Sequence, residues 1–304
     1  MRALVTADSH LYEFRQFARI LSDGLNSRLK EGLDTLELLV SRANQPDIDV
    51  FIHAGDLWHE KHRASVRTVC ETLRRLKRLE KMSYWATGNH DLISRYGRSV
   101  YSALSLVELV DQCSVVDRHN GAPATAPLLF VCVPFSYDLA AQIRMIETLE
   151  SKQKTILVTH GDVIGMRYGG AVVTEGLAPE LLAQFAFAIV GHYHNPTIVC
   201  DNVLIPGAPT QHNWGDRGER RGCWIVEFSP ASCRIESFEE IDASKFVEVD
   251  LDQFPNFEFN QRDFYRVIAS NKCELPGGVN AVVVTPEARE VEQREELSTA
   301  DDAV

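Results

Sequence analysis

The sequence lacks several features that would each place it in a particular class. Its 304 residues contain no apolar run of about 18 residues, the length that a membrane-spanning helix needs. Its seven cysteines are scattered and contain no C-x-x-C pair, so we predict neither a disulfide framework nor a zinc ribbon. The chain contains no internal repeat, and no leader-like segment follows Met1. We therefore expect a cytoplasmic protein without a membrane contact.

Positive charge is also scarce. The chain has 31 lysines and arginines against 43 aspartates and glutamates, a net charge of −12. This composition argues against a broad basic face that wraps nucleic acid without sequence preference. Residues 286–304, however, contain seven acidic and two basic residues and so carry −5 of the −12. The acidity is concentrated at the C-terminus and leaves room for a local contact with nucleic acid.

Apolar residues alternate between strand spacing and helix spacing, which predicts an α/β (α+β) fold. Strands are predicted at 2–8, 49–55, 83–87, 127–133, 154–159 and 186–190, and helices at 31–45, 65–81 and 138–150. From 197 to 241 the helical spacing disappears. Short strand-like runs at 197–200, 202–205, 222–228 and 232–239 suggest a second sheet packed on the first.

The chain changes character after residue 242. Isolated strand-like runs at 246–249, 265–268 and 282–284 predict a small C-terminal β appendage. The acidic stretch after Pro286 is typical of a disordered segment, and a short frayed helix is the alternative. We therefore predict a main domain over 1–242, a reduced capping-type appendage over 243–285 and a disordered tail over 286–304.

Short polar motifs follow five of the predicted strands. They are D-S-H at 8–10, G-D at 55–56, G-N-H-D at 88–91, His160, and G-H-Y-H at 191–194. Each motif alone is more typical of a turn, a helix cap or a structural histidine. Open α/β sheets place their sites at the carboxyl ends of strands. The joint occurrence therefore predicts one shared site.

The order of these motifs resembles that of the calcineurin-like metallophosphoesterase superfamily over roughly residues 1–230. The resemblance implies two mixed β-sheets packed as a sandwich and flanked by helices. It also implies two divalent metal ions bridged by Asp56. One would be held by Asp8, His10, Asp56 and His194, and the other by Asp56, Asn89, His160 and His192. The resemblance points to Mn²⁺, although oxygen and imidazole ligands also suit Fe or Zn.

Two residues beside the ligand set are predicted to be catalytic. Two metal ions would activate a water molecule and neutralise charge on the phosphate. His90 follows Asn89 and is not a ligand in the family pattern, so we predict that it protonates the leaving oxygen. Asp91 would orient the His90 ring as a carboxylate–imidazole pair. The alternative is that both residues only support the loop.

The remaining motifs narrow the substrate class. The residues after Asp56 read L-W-H-E-K-H-R and lack the V-D-R-G of protein Ser/Thr phosphatases, and the segment at His160 lacks the H-H-P of many cyclic-nucleotide phosphodiesterases. Residues 205–228 resemble the P-G-S-P and G-E-x-x-x-x-K-G-F segment of SbcD-type DNA double-strand-break-repair nucleases and their phage recombination relatives. This resemblance implies an exo- or endonuclease that acts on DNA in repair or recombination.

The resemblance also suggests contacts with DNA. The predicted substrate-binding residues are His62, Arg217, Arg220 and Arg221, of which the arginines would contact the phosphate backbone. The alternative is a Gly/Pro-rich hairpin whose arginines only face solvent.

Two protein partners are suggested in the same way. Members of the family dimerise through helices near 65–81 and 99–112, where apolar surface from Leu104, Val107, Leu109 and Val110 is expected to support a homodimer. SbcD-type chains also carry a larger cap and a segment that binds an SbcC-type ATPase. The short loop at 270–279 weakens the expectation of that partner here.

Two other functions stay open from the sequence. One is a small-molecule or cyclic-nucleotide phosphodiesterase or phosphatase on the same fold, because one scaffold hosts many substrates. The other is an inactive adaptor, which the intact ligand set disfavours.

Overall fold

Two layers of strands organise the computed structural model, which describes residues 1–60, 65–92, 102–110, 113–116, 128–168, 171–271 and 273–289. The strands are β1 (Arg2–Thr6), β2 (Val50–His53), β3 (Met82–Ala86), β4 (Cys113–Val116), β5 (Leu129–Val133), β6 (Thr155–His160), β7 (Arg167–Tyr168), β8 (Ala171–Val172), β9 (Phe187–Gly191), β10 (Thr197–Cys200), β11 (Val203–Ile205), β12 (Gly222–Phe228), β13 (Cys233–Glu240), β14 (Phe246–Asp250), β15 (Phe264–Ile268) and β16 (Asn280–Val284). The helices are α1 (Ser27–Ala43), α2 (Val66–Leu76), α3 (Leu139–Glu147) and α4 (Pro179–Leu182), with 3₁₀ turns at Ala103–Leu109, Lys152–Lys154 and Trp214–Asp216.

The two large sheets are mixed. Over the described residues the first has the order β13-β12-β1-β2-β3-β4 and the second the order β10-β11-β9-β6-β5. Strands β1 to β4 run parallel, as do β5, β6, β9 and β11. Side chains from both sheets, including Ile52, Phe130 and Phe187, form one buried apolar cluster between the layers. The predicted fold class, a sandwich of two mixed sheets with helices, is confirmed.

The strands between 197 and 241 do not form a sheet of their own, so that prediction was wrong. Strand β12 pairs antiparallel with β1, from Arg2 opposite Glu227 to Val5 opposite Trp224. Strands β10 and β11 instead extend the second sheet beside β9. The late strands therefore divide between the two layers, because each completes an edge that an earlier buried strand leaves unpaired.

Helix α1 begins four residues before its predicted start. The Asn26 side chain caps it by accepting hydrogen bonds from the backbone N–H of Arg28 (2.9 Å) and Leu29 (3.1 Å). Leucines at helical spacing, among them Leu29, Leu33 and Leu36, pack into the core beneath the first sheet. Helix α2 ends at Leu76, five residues before its predicted end.

The apolar residues that were expected to offer a dimer surface lie mostly in the core. Leu104 and Val107 are fully buried in the 3₁₀ turn beside Trp85, and Val110 is 4% exposed. Only Leu109 among these four residues is exposed. The expected apolar surface is therefore wrong, because the turn packs inward against β4. Residues 93–101 and 111–112 lie outside the described part of the chain.

Strands β14, β15 and β16 form the C-terminal appendage as a parallel sheet. Its aromatic side chains dock on the main domain. Phe264 stacks on Phe17 with ring centroids 5.3 Å apart, and the Arg28 guanidinium lies 4.5 Å above the Phe264 ring. Residues 286–289, for which the sequence left disorder or a short frayed helix open, form a helical turn in which buried Arg289 pairs with Glu248 at 2.8 Å. Residues 290–304 lie outside the description.

Within the described segments, no helix has both the length and the apolar character that crossing a bilayer requires.

Candidate metal centre

The five polar motifs meet at one edge of the sandwich. Asp8, Asp56 and Asn89 follow β1, β2 and β3 of the first sheet, and His160 ends β6 of the second sheet. His192 and His194 follow β9, which is parallel to β6. Both sheets therefore contribute carboxyl ends of parallel strands to the same place, as the sequence predicted.

Several of these residues have strained backbones. The φ angles are 51° at Asp8, 42° at His10, 56° at Asp56 and 115° at His192. Residues other than glycine rarely adopt positive φ angles, and each instance costs about 1–3 kcal/mol. Two hydrogen bonds between the loops hold the conformation, from the N–H of Asp8 to Gly55 O (2.9 Å) and from the N–H of His10 to Asp56 O (3.0 Å). The fold maintains this strain where the side chains of the predicted ligands converge.

One cluster contains Asp8, His10 and His194, whose possible ligand atoms lie within 4.8 Å of one another. Asp8 is fully buried. Its Oδ2 accepts a hydrogen bond from the N–H of His192 at 3.1 Å, whereas its Oδ1 has no hydrogen-bond partner. A buried carboxylate oxygen without a partner is costly, and a bound cation would satisfy it.

A second cluster contains Asp56, Asn89, His160 and His192. Asn89 Oδ1 lies 3.0 Å from His160 Nε2 and 3.2 Å from His192 Nδ1. Asp56 Oδ2 lies 3.4 Å from His160 Nε2 and 3.7 Å from His10 Nε2. The Asp56 carboxylate thus stands between the two clusters, in the position that a bridging ligand requires.

Burial and close charges shift the pKa values of the candidate ligand residues. Burial raises the pKa of Asp8. Burial alone would lower the pKa of His160, but the facing carboxylates of Asp56 and Asp8 raise it to about 9. Burial and the neighbouring imidazoles, His194 first, lower the pKa of His10. Buried carboxylates and imidazoles crowded in this way are typical of a site for a divalent cation.

Three of the candidate ligand histidines, His160, His192 and His194, each have a further polar partner beside the site that holds the ring. His160 Nδ1 donates to Ala54 O at 2.8 Å, and His194 Nδ1 to Asp216 Oδ1 at 2.8 Å. His192 Nε2 lies 3.4 Å from Asp162 Oδ1. Sequence reasoning missed both aspartates, because each lies more than 20 residues from its histidine. The only local signal was the position of Asp162 two residues after His160.

The predicted pairing of Asp91 with the His90 ring was wrong. The Asp91 carboxylate is fully buried and accepts hydrogen bonds from the N–H of Asp56 (2.8 Å) and Gly88 (3.0 Å). Burial, with a smaller contribution from Asp56, raises the pKa of Asp91 to about 7. Asp91 therefore supports the loops that carry Asp56 and Asn89, because its Oδ2 accepts from both backbone groups.

His90 is instead held by His59. Its Nδ1 donates to His59 O at 2.5 Å, and the two rings stack with centroids 5.0 Å apart. The ring of His90 also lies 4.8 Å from that of His10. His59 belongs to the site, although the sequence analysis did not select it. Its position directly after the Asp56-Leu57-Trp58 segment was the available signal.

The predicted substrate contacts occupy different environments. Arg221 is buried, and its guanidinium donates to His194 O, to Asn195 Oδ1 (2.8 Å) and to Asp216 O (2.7 Å). The predicted phosphate contact is therefore wrong for Arg221, because protein groups engage its guanidinium. Arg217 is partly exposed and pairs with Glu248, and Arg220 is exposed and pairs with Glu240. His62 lies outside the described residues.

Comparisons with known proteins agree with this geometry. The family model described as calcineurin-like phosphoesterase matches residues 1–196. The DNA double-strand break repair protein Mre11 of Methanocaldococcus jannaschii is 23% identical over 83% of this chain and 69% of its own length. The protein of the same name from Haloferax volcanii is 27% identical over 82% of this chain and 55% of its own length.

Among solved structures, a dimetal phosphatase from Danio rerio covers 78% of this chain and 99% of its own, at 12% identity and a TM-score of 0.47.

Proposed function

This chain belongs to the calcineurin-like phosphoesterase family, and from that premise we propose that it is a metal-dependent DNA nuclease of the SbcD type. It is a hydrolytic metallophosphoesterase. The observation that carries the proposal is the Asp56 carboxylate, whose Oδ2 lies 3.7 Å from His10 Nε2 of one cluster and 3.4 Å from His160 Nε2 of the other. Support for DNA as substrate comes from the two Mre11 relatives, whose names describe DNA double-strand break repair.

We assign the ligands as follows. Asp8, His10, Asp56 and His194 hold one cation, and Asp56, Asn89, His160 and His192 hold the other. The unpartnered Asp8 Oδ1 and the mixture of oxygen and imidazole donors fit divalent cations, and we propose Mn²⁺. When bound, the cations supply Lewis-acid chemistry and an activated water.

The chain itself provides the proton for the leaving group. His90 donates from Nδ1 to His59 O, so Nε2 is the ring nitrogen that this hydrogen bond does not use, and the residue is partly exposed. A neutral ring with its proton on Nδ1 has only a lone pair at Nε2, so we assign proton donation to the leaving oxygen to Nε2 of the doubly protonated His90 ring, which becomes neutral in the step. Asp8, Asp56 and His160 are buried, whereas Asn89, His192 and His194 are partly exposed. A phosphodiester therefore approaches from the side of these last three residues and His90.

The proposed protein partners rest on the family resemblance. We propose DNA as the macromolecular partner, with phosphate contacts from Arg217 and Arg220, whose side chains are exposed. A homodimer and an SbcC-type ATPase partner are proposed on the resemblance alone, and a cytoplasmic location on the composition of the sequence. The apolar surface once expected for the dimer is largely core.

A substrate panel tests the proposal. Labelled single-stranded, blunt duplex and hairpin DNAs are incubated with the protein and Mn²⁺, beside cyclic nucleotides and a phosphomonoester. We expect cleavage of DNA and its loss in Asp56→Asn, which keeps the shape of the side chain and removes its charge. Rapid turnover of nucleotides without cleavage of DNA would instead favour the small-molecule phosphodiesterase.

A further inference from the structure

The carboxylate of Asp216 is held from two sides. Its Oδ1 accepts a hydrogen bond from His194 Nδ1 at 2.8 Å. Its Oδ2 accepts from the N–H groups of His212 (2.7 Å) and Asn213 (3.2 Å). Asp216 is 4% exposed and ends the 3₁₀ turn Trp214–Asp216, whose other end Asn213 caps. Three donors therefore fix the orientation of this carboxylate before any ligand binds.

The loop around Asp216 is fixed as firmly as its side chain. The buried Arg221 guanidinium donates to the carbonyl oxygens of both His194 and Asp216. The Arg221 guanidinium therefore connects the backbone of His194 to the backbone of Asp216. The next residue, Arg217, pairs with Glu248 of β14 at 2.9 Å and ties the same turn to the appendage.

The direction of the His194–Asp216 hydrogen bond determines which ring nitrogen of His194 can bind a cation. A carboxylate only accepts, so His194 Nδ1 carries the proton and Nε2 keeps the lone pair. The ring lies 5.0 Å from that of His10, and His194 shares a cluster with Asp8 and His10. The aspartate thus selects the tautomer that can bind a cation in this cluster.

We propose that Asp216 is a positioning residue, which fixes the tautomer and ring orientation of His194 for metal binding. This inference rests on the proposed role of His194 as a ligand. Asp162 is the counterpart at His192, but its separation is 3.4 Å and its side chain is 47% exposed. Because solvent competes at Asp162, the effect at Asp216 is the larger one.

Mn²⁺ titration calorimetry with a matched pair of variants tests the proposal. Asp216→Asn and Glu240→Gln each convert a carboxylate to an amide. Glu240 is the last residue of β13, is exposed, and pairs with Arg220. We expect Asp216→Asn to weaken binding of one Mn²⁺ by about 10- to 100-fold, the usual effect of losing such a partner. Glu240→Gln should bind like the unsubstituted chain.

The outcomes separate this inference from the proposed function. If the unsubstituted chain binds no Mn²⁺, both the metal assignment and the role of Asp216 fail. If it binds Mn²⁺ and Asp216→Asn binds equally well, only the role of Asp216 fails.

A measurement on the unsubstituted chain covers the case in which Asp216→Asn does not fold. Nitrogen-15 spectra of the Zn²⁺-loaded protein report which ring nitrogen of His194 carries the proton, with His194→Gln used to assign the signal. A proton on Nδ1 is expected, and a proton on Nε2 would overturn the proposal.

Discussion

His90 is anchored through Nδ1 at His59 O, and its proposed role as proton donor is testable by choice of leaving group. The His90→Asn substitution removes the proton donor and leaves the proposed ligands in place. We expect DNA cleavage, which expels a poor alkoxide leaving group, to slow by about 10²- to 10⁴-fold. Bis-p-nitrophenyl phosphate, which expels a stable phenolate, should be affected much less. Equal losses on both substrates, or weakened Mn²⁺ binding, would contradict proton donation by His90.

The pKa shifts of two histidines predict how metal binding depends on pH. The pKa of His160 is raised to about 9, and that of His194 is raised because Asp216 and Asp8 outweigh the effect of burial. A histidine must be neutral to bind a cation, so protons and Mn²⁺ compete below these pKa values. We expect Mn²⁺ affinity to rise with pH up to about 9 and binding at pH 7 to release protons. Calorimetry in buffers of different ionisation enthalpy measures the release; a net uptake of protons would contradict the prediction.

The sequence predicted which candidate ligand residues share one site, but not the groups that hold them. Asp8 and Asp56 follow strands within short recognisable motifs, and His160 ends a strand. Asp216 and Asp162 act through contacts between segments distant in sequence, which no local pattern reports. Asp91 was assigned to its neighbour His90, whereas folding turns its carboxylate towards the backbone of Asp56 and Gly88.

At the scale of elements, the existence of strands was easier to predict than their partners. Apolar alternation located β12 and β13 correctly, but it contains no information on which edge they join. The 3₁₀ turn Ala103–Leu109 shows the same limit, because its apolar residues could equally face a partner or the core. Contacts between segments distant in sequence determine both which sheet edge β12 and β13 join and which way the 3₁₀ turn faces.

The end of β9 approaches β2 and β6 so closely that only glycine fits. A Cβ at Gly191 would lie 2.1 Å from Ala54 O and 2.7 Å from His160 Nδ1. We expect Gly191→Ala to lower the free energy of unfolding by about 1–3 kcal/mol and to weaken Mn²⁺ binding, because His160 must move. Gly277→Ala is the matched control, since its Cβ meets nothing within 4 Å. Denaturant unfolding and Mn²⁺ titration compare Gly191→Ala with Gly277→Ala. Equal stability and equal Mn²⁺ affinity in the two variants would refute the steric argument.

At the scale of the whole molecule, the appendage is an integrated part of the fold. Its aromatic residues Phe246 and Phe264 pack around Arg28 and Phe17, close to the turn that carries Asp216. The sequence predicted its strands but not this docking, because the contact joins residues more than 200 positions apart.

A pair of phenylalanine substitutions tests this docking. Phe264 is 4% exposed, whereas Phe254 in the same appendage is 61% exposed. We expect Phe264→Ala to lower the free energy of unfolding by about 3–5 kcal/mol, because it leaves a cavity at the interface. Phe254→Ala should change it by less than about 0.5 kcal/mol. Urea denaturation measures both values, and equal effects would show that the appendage does not contribute through this contact.

The most direct test of the two-metal site is the number of Mn²⁺ ions that each chain binds. The position of Asp56 between the two clusters predicts two Mn²⁺ per unsubstituted chain, and fewer than two in Asp56→Asn because both sites lose a charged ligand. Elemental analysis after equilibrium dialysis, with unfolding curves of both proteins to verify the fold, gives these numbers. A single Mn²⁺ in the unsubstituted chain, or two retained by a folded Asp56→Asn, would contradict the bridged two-metal site.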